Sequence, residues 1–207
     1  MSAASVQAPS RRDAGRRLGA AFALLLALLA PARAQESSPT LEAQVEAAFL
    51  VNFLRYTDWP EDRALAPDAP YVITLVGADD VAANLERMAK VVAPVRGRRL
   101  EVQRLEFPAG ADATVRAGIS DRLRRSHLVY VHETHEPVAA ILGELSGQPV
   151  LTVSDREGFA AAGGMLGLRR RGGRMQFEAN PAAIRNARLV VSAKVLKLAE
   201  LVQGTVR

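Results

Sequence analysis

Four short stretches carry the residue types from which a site could be built. His132, Glu133, Thr134, His135 and Glu136 set two imidazoles three positions apart between carboxylates, the ligand types zinc takes. A zinc site needs at least three protein ligands, and the spacing offers no third. The stretch therefore reads as a solvated strand-to-helix turn with Thr134 or His135 near the cap, and no metal is expected. Ser154 and Asp155 end a short apolar run, where an open parallel sheet presents polar groups to a crevice. A nucleophile there would need a histidine base and a glycine-flanked elbow. Ser154 has no such elbow, and Asp155 beside it reads as an Asx or cap residue, so catalysis is the weaker reading. Gly77, Ala78, Asp79 and Asp80 stand where a dinucleotide fold carries its phosphate loop, but with one glycine and two carboxylates that repel phosphate. Helix capping by Asp79 or Asp80 is the ordinary reading, and no cofactor is implied. Arg169, Arg170, Arg171 and Arg174 could meet phosphates, yet at a hairpin tip they read as a solvated turn that guards a sheet edge.

The elements that must position these residues follow from hydrophobic periodicity. Leu41, Val45, Ala48, Phe49, Asn52 and Tyr56 recur at three- and four-residue spacing, which predicts a helix of about four turns ending before Pro60. Tyr56 and the lone tryptophan, Trp59, are read as structural, packing that helix against a sheet. Residues 71–76 form a strand and 81–91 a helix, 100–105 a less buried strand, 112–124 a helix, 127–131 a strand, 136–145 a helix and 150–153 a strand. Strand–helix alternation predicts an α/β fold: a mostly parallel sheet with helices on both faces. A loop through Gly158, Phe159, Gly163 and Gly164 leads to apolar runs at 165–168 and 175–177, an antiparallel hairpin near the C-terminus. Asn180 before Pro181 reads as a helix N-cap, and residues 189–202 as a closing amphipathic helix.

Residues 1–34 are set apart from the fold. Arg11, Arg12, Arg16 and Arg17 precede an apolar run at 18–30, and Ala32 and Ala34 supply the small residues of a cleavage site. This is the pattern of a secretory signal peptide, with a run too short to span a bilayer. A polar leader at 35–40 and a single domain at 41–207 follow. The chain has 27 Lys and Arg against 22 Asp and Glu, but five arginines and one aspartate fall in the signal, which leaves 22 against 21. A nucleic-acid binder is therefore not indicated. With no cysteine, an exported domain must be held by packing alone.

Three segments together go beyond a generic α/β pattern. Residues 47–60 (AAFLVNFLRYTDWP), the strand SHLVYV at 126–131, and VLTVSDREGFAAAGGMLGL with MQFEAN resemble the YfiR family of periplasmic proteins. The resemblance runs from about 41 to 201, and the final LVVSAKVLKLA is similar to that family's last helix. It implies a non-enzymatic regulator that binds the periplasmic region of an inner-membrane diguanylate cyclase and represses it, lowering cyclic di-GMP and biofilm formation. It also implies an α/β protein able to form a homodimer, with Phe159, in a loop that does not require core burial, and Glu178 and Asn180 on a partner- or ligand-facing surface. Two departures stand out. The family often has a cysteine where this chain has Ser126, so disulfide-based redox sensing is not available, and Ala179 replaces a larger apolar residue. The alternative function is a periplasmic small-ligand module that uses the crevice near Ser154, Asp155 and Phe159 and serves another membrane receptor.

N-terminal sequencing of the exported protein is expected to begin at Gln35. A product that retains residues 18–30 would mean an uncleaved anchor instead.

Overall fold

The computed structural model of the protein describes residues 41–204 except 64, 65, 67, 92, 93, 109, 111, 136 and 137. The expected signal and leader lie outside the described residues.

Helix α1 (Leu41–Arg55) buries Ala43, Glu46, Ala47, Leu50, Val51, Phe53 and Leu54. This is not the face marked by the spacing of Leu41, Val45 and Asn52, of which Leu41 and Asn52 are exposed. Apolar residues surround the helix between 43 and 54, so two stripes compete. The one containing Ala43 and Ala47 lies against the sheet, where small side chains permit close approach. A two-residue strand β1 (Thr57–Asp58) follows. Trp59 then packs 5.6 Å from the ring of Tyr71 and 5.5 Å from that of His127. Tyr56 does not join it, because its side chain is exposed. Burial, reinforced by the charges of Arg63 and Arg98, pushes the His127 imidazole down to about 4. It is neutral, and its Nδ1 accepts the Val72 N–H.

The alternation then proceeds as the periodicity predicts. Strand β2 (Tyr71–Val76), helix α2 (Asp79–Val91), β3 (Leu100–Leu105), α3 (Ala113–Arg125), β4 (Leu128–Val131), α4 (Val138–Glu144) and β5 (Leu151–Ser154) succeed one another. Asp112 caps α3 by accepting the N–H groups of Thr114 and Val115. Asp79 and Asp80, expected as caps, instead lie in the first turn of α2, where carboxylates complement the positive end of the helix. Strands β6 (Leu166–Arg171) and β7 (Arg174–Ala179) form the hairpin. Its arginines belong to the strands, and the turn shrinks to Gly172 and Gly173. Both have positive φ, as a two-residue turn of the hairpin type requires.

Asn180 caps α5 (Pro181–Asn186) as predicted. The long closing helix does not form. Val190 and Val191 make strand β8 (Val190–Val191), antiparallel to β1, and Ser192 caps only the four-residue α6 (Ala193–Leu196). Strand β9 (Glu200–Leu201) then runs parallel to β7. The β-branched pair and the capping serine override the helical spacing, and Leu198 and Leu201 remain exposed.

The seven-stranded sheet has the order β3-β2-β4-β5-β6-β7-β9, parallel except where β6 meets β7. One face packs Ile73, Leu75, Leu128, Leu151 and Phe177 under α1 and α2. The other packs Val76, Val129, Val131 and Val150 under α3 and α4. This is the expected mostly parallel α/β fold with helices on both faces. The described residues belong to one compact unit that starts at Pro39.

Phe159 belongs to the second core, at 1 % exposure, which corrects the expectation that its loop need not be buried. The ring fills space beside Gly164, where an added Cβ would collide with it, and Gly163 takes a φ of 110° that disfavours other residues. We expect Gly164→Ala to cost about 1–3 kcal/mol in urea denaturation through overpacking. Combined with Phe159→Leu, the cost of the alanine should shrink because the smaller side chain vacates the contested space. Strict additivity of the two changes would count against this contact.

Candidate functional site

The strand order reverses at β2: the chain moves outward from β2 to β3, then crosses back to place β4 on the other side. In open α/β sheets a crevice forms beyond the carboxyl ends of the strands at such a point. Here the carboxyl end of β2 passes through Gly77, with a φ of 70°, into α2, while that of β4 passes into His132 and Glu133. The N-terminal half of α1 covers the gap. A crevice of about 540 Å³ results, with Glu46, His132 and Asp155 inside it and Leu168 and Met175 on its hairpin side.

Its floor is polar and buried. Tyr130, fully buried on β4, donates its hydroxyl to Glu46 Oε2 at 3.0 Å. Burial, followed by the negative charge of Asp155, pushes the Glu46 carboxyl from 4.5 up to about 7, although the Tyr130 hydrogen bond opposes the rise. Asp155 is raised by burial too, opposed by His132, whose Nε2 lies 3.5 Å from Oδ2. Asp155 Oδ1 is buried with no hydrogen-bond partner among the described residues. The Tyr130 hydroxyl, between two carboxylates and out of water, is raised well above its ordinary range. At the rim Arg170 pairs with Glu42 at 2.9 Å.

Period-two alternation separates the residues that sequence placed side by side. Asp155 enters the crevice on the α1 side. Ser154, fully buried, is not among the residues lining it, and its Oγ accepts the Arg156 N–H at 3.0 Å. Phe159 lies in the core under α3 and α4. The grouping of Ser154, Asp155 and Phe159 around one crevice is therefore reduced to Asp155. Glu178 is buried and paired with Arg169 at 2.9 Å. Asn180 is fully buried: its Oδ1 accepts the N–H groups of Ala182 and Ala183, and its Nδ2 donates to Ala160 O. Neither offers a surface.

The two histidines do not converge. His132 Nδ1 lies 2.8 Å from Thr134 Oγ1, while the ring of His135 packs on Gly77. Among the described residues no three His, Cys, Asp or Glu side chains are arranged to hold a metal ion. Sequence reasoning missed Glu46 and Tyr130. A signal existed for the first: Glu46 is three residues from Ala43 and four from Leu50, a carboxylate within an apolar stripe. Tyr130 gave none, since an aromatic residue in an apolar strand is ordinary core.

Residues 43–200 match the family model described as YfiR/HmsC-like, and the chain belongs to that family. It has no significant match among individual curated proteins.

The raised carboxyl of Glu46 ties stability to pH. The folded protein keeps this proton up to about pH 7, whereas the unfolded chain releases it near 4.5, so stability should fall as pH rises between these values. Glu46→Gln keeps an acceptor for Tyr130 but carries no charge. In chemical denaturation it should match the parent at pH 4 and exceed it at pH 8 by on the order of 2 kcal/mol, a figure lowered for water in the open crevice. Asp155 contributes a slope of the same sign that the variant retains. A variant less stable than the parent at pH 8 would contradict the assignment.

Proposed function

We propose that this YfiR/HmsC-like protein is a periplasmic, non-enzymatic regulator that binds the periplasmic region of an inner-membrane diguanylate cyclase and represses it, lowering cyclic di-GMP and biofilm formation. Family membership over residues 43–200 carries this reading. Two features are consistent with a periplasmic protein acting on a membrane partner. The N-terminus has the pattern of an export signal, and no described helix is long and apolar enough to cross a membrane. No nucleic acid takes part. A homodimer, also implied by the family, is part of the proposal.

The crevice favours a second role within the same framework: a small ligand bound there, which tunes the interaction or serves another membrane receptor. Its volume is that of a small-molecule site, and its polar groups converge on a buried floor. Asp155 contributes directly. Glu178 acts through position: paired with Arg169, it holds the hairpin whose strands line the crevice, whereas Ser154, Phe159 and Asn180 serve packing away from it.

The test is capture of membrane proteins from solubilised inner membranes on the immobilised protein, followed by cyclase assay of the retained fraction with and without added protein. Retention of a cyclase whose product formation falls on addition is the expected result. Retention of a cyclase whose rate does not change, or of none, would refute repression by direct binding.

A further inference from the structure

The charges around the crevice do not balance from within. Its arginines are engaged elsewhere: Arg170 with Glu42, and Arg169 with Glu178 and Glu200. Asp79 is paired with Arg104 at 3.1 Å. The floor is left with Glu46 and Asp155, and the exposed Glu133 adds negative charge at the mouth. Glu46 is only 6 % exposed, and Tyr130 donates to one of its oxygens. Asp155 Oδ1 is buried without a hydrogen-bond partner among the described residues, while Oδ2 faces His132 Nε2 at 3.5 Å. Two carboxylates that share a buried floor repel each other and leave the Asp155 Oδ1 acceptor unfilled, an arrangement that a positively charged donor in the crevice would relieve.

The nature of that donor follows from the surroundings. No described group of side chains converges as a metal ion requires. Leu168 and Met175 add apolar surface beside the carboxylates, and the volume far exceeds what one ammonium group would occupy. We infer that the crevice binds a small organic cation, with a primary ammonium group hydrogen-bonded to Glu46 and Asp155 and a short apolar body against Leu168 and Met175. This rests on the reading of the crevice as a ligand site and names the class of ligand.

Isothermal titration of the purified protein at pH 8 separates the two claims. The compounds are butylamine, phenethylamine and 1,4-diaminobutane, matched against butyrate and 3-phenylpropionate, with magnesium, calcium and zinc chlorides alone as a third set. Saturable binding of at least one amine is expected, weakened about tenfold or more by Glu46→Gln. Glu133→Gln changes an exposed side chain that poses no risk to folding, and should weaken binding severalfold. Binding of the acids or metals without the amines would overturn the cation and leave the ligand site standing. Binding of nothing in any set would overturn both, and amine binding indifferent to both substitutions would overturn the placement.

Discussion

Everything about the site depends on the reversal of strand order at β2. When a chain leaves a strand in one direction and returns to its other side, the two connecting helices must lie on opposite faces of the sheet. Here α2 packs with α1 on one face and α3 lies on the other. The connections leaving β2 and β4 therefore diverge, and no backbone fills the space beyond their carboxyl ends. The crevice is a consequence of topology, and the side chains decide only what it attracts. Gly77 serves the same divergence, since its positive φ turns the chain sharply and a side chain there would crowd His135.

The floor of that crevice is costly to keep folded. Glu46, Tyr130 and Asp155 are withdrawn from water around the Tyr130–Glu46 hydrogen bond, with His132 3.5 Å from Asp155. Such an arrangement persists only where surrounding packing outweighs it. The packing is extensive: the rings of Phe49, Phe53 and Phe177 lie within 6.0 Å of one another in tilted and edge-on pairs, and aliphatic layers fill both faces. Two buried carboxylates with raised proton affinity, gathered in one crevice, are the pattern expected of a site shaped for binding.

Much of this was legible before any coordinates. Strand–helix alternation, the hairpin and the Asn180 cap depend on local signals such as apolar runs, a glycine pair and an Asn-Pro junction, which tertiary context did not overturn. The failures came where two local readings were of similar strength. Apolar residues nearly encircle α1, so its periodicity left the buried face undetermined, and with it the burial of Glu46. Residues 189–202 fit a helical spacing, but β7 offered an unpaired edge and β1 a partner, and strand pairing won. For Phe159 a loop position implies exposure, since loops usually run over the surface, and here that inference fails. The glycine beside it, which makes room for an aromatic ring, was the clue that the ring turns inward. Ser154 and Asp155, adjacent in sequence, were grouped into one site although strand geometry sends neighbours to opposite faces.

That last separation has a consequence for how the protein can be tuned. Residues that hold the loop and hairpin in place, Phe159 with Gly164 and Glu178 with Arg169, are distinct from the carboxylates that give the crevice its charge. Glu46 lies on the sheet-facing side of α1, and Phe159 lies across the sheet under α4. Changes at sites that are well separated and share no partner act additively, so ligand preference and fold stability can vary with little mutual interference. Without a cysteine to lock either part, the rigidity of the crevice wall rests on noncovalent ties at the hairpin: the Arg169–Glu178 and Arg169–Glu200 pairs that join β6, β7 and β9, and the Asn180 side chain that links α5 to the Phe159 loop. Through these ties the C-terminal strands reach Arg170, whose exposed bond to Glu42 links the hairpin to the first turn of α1.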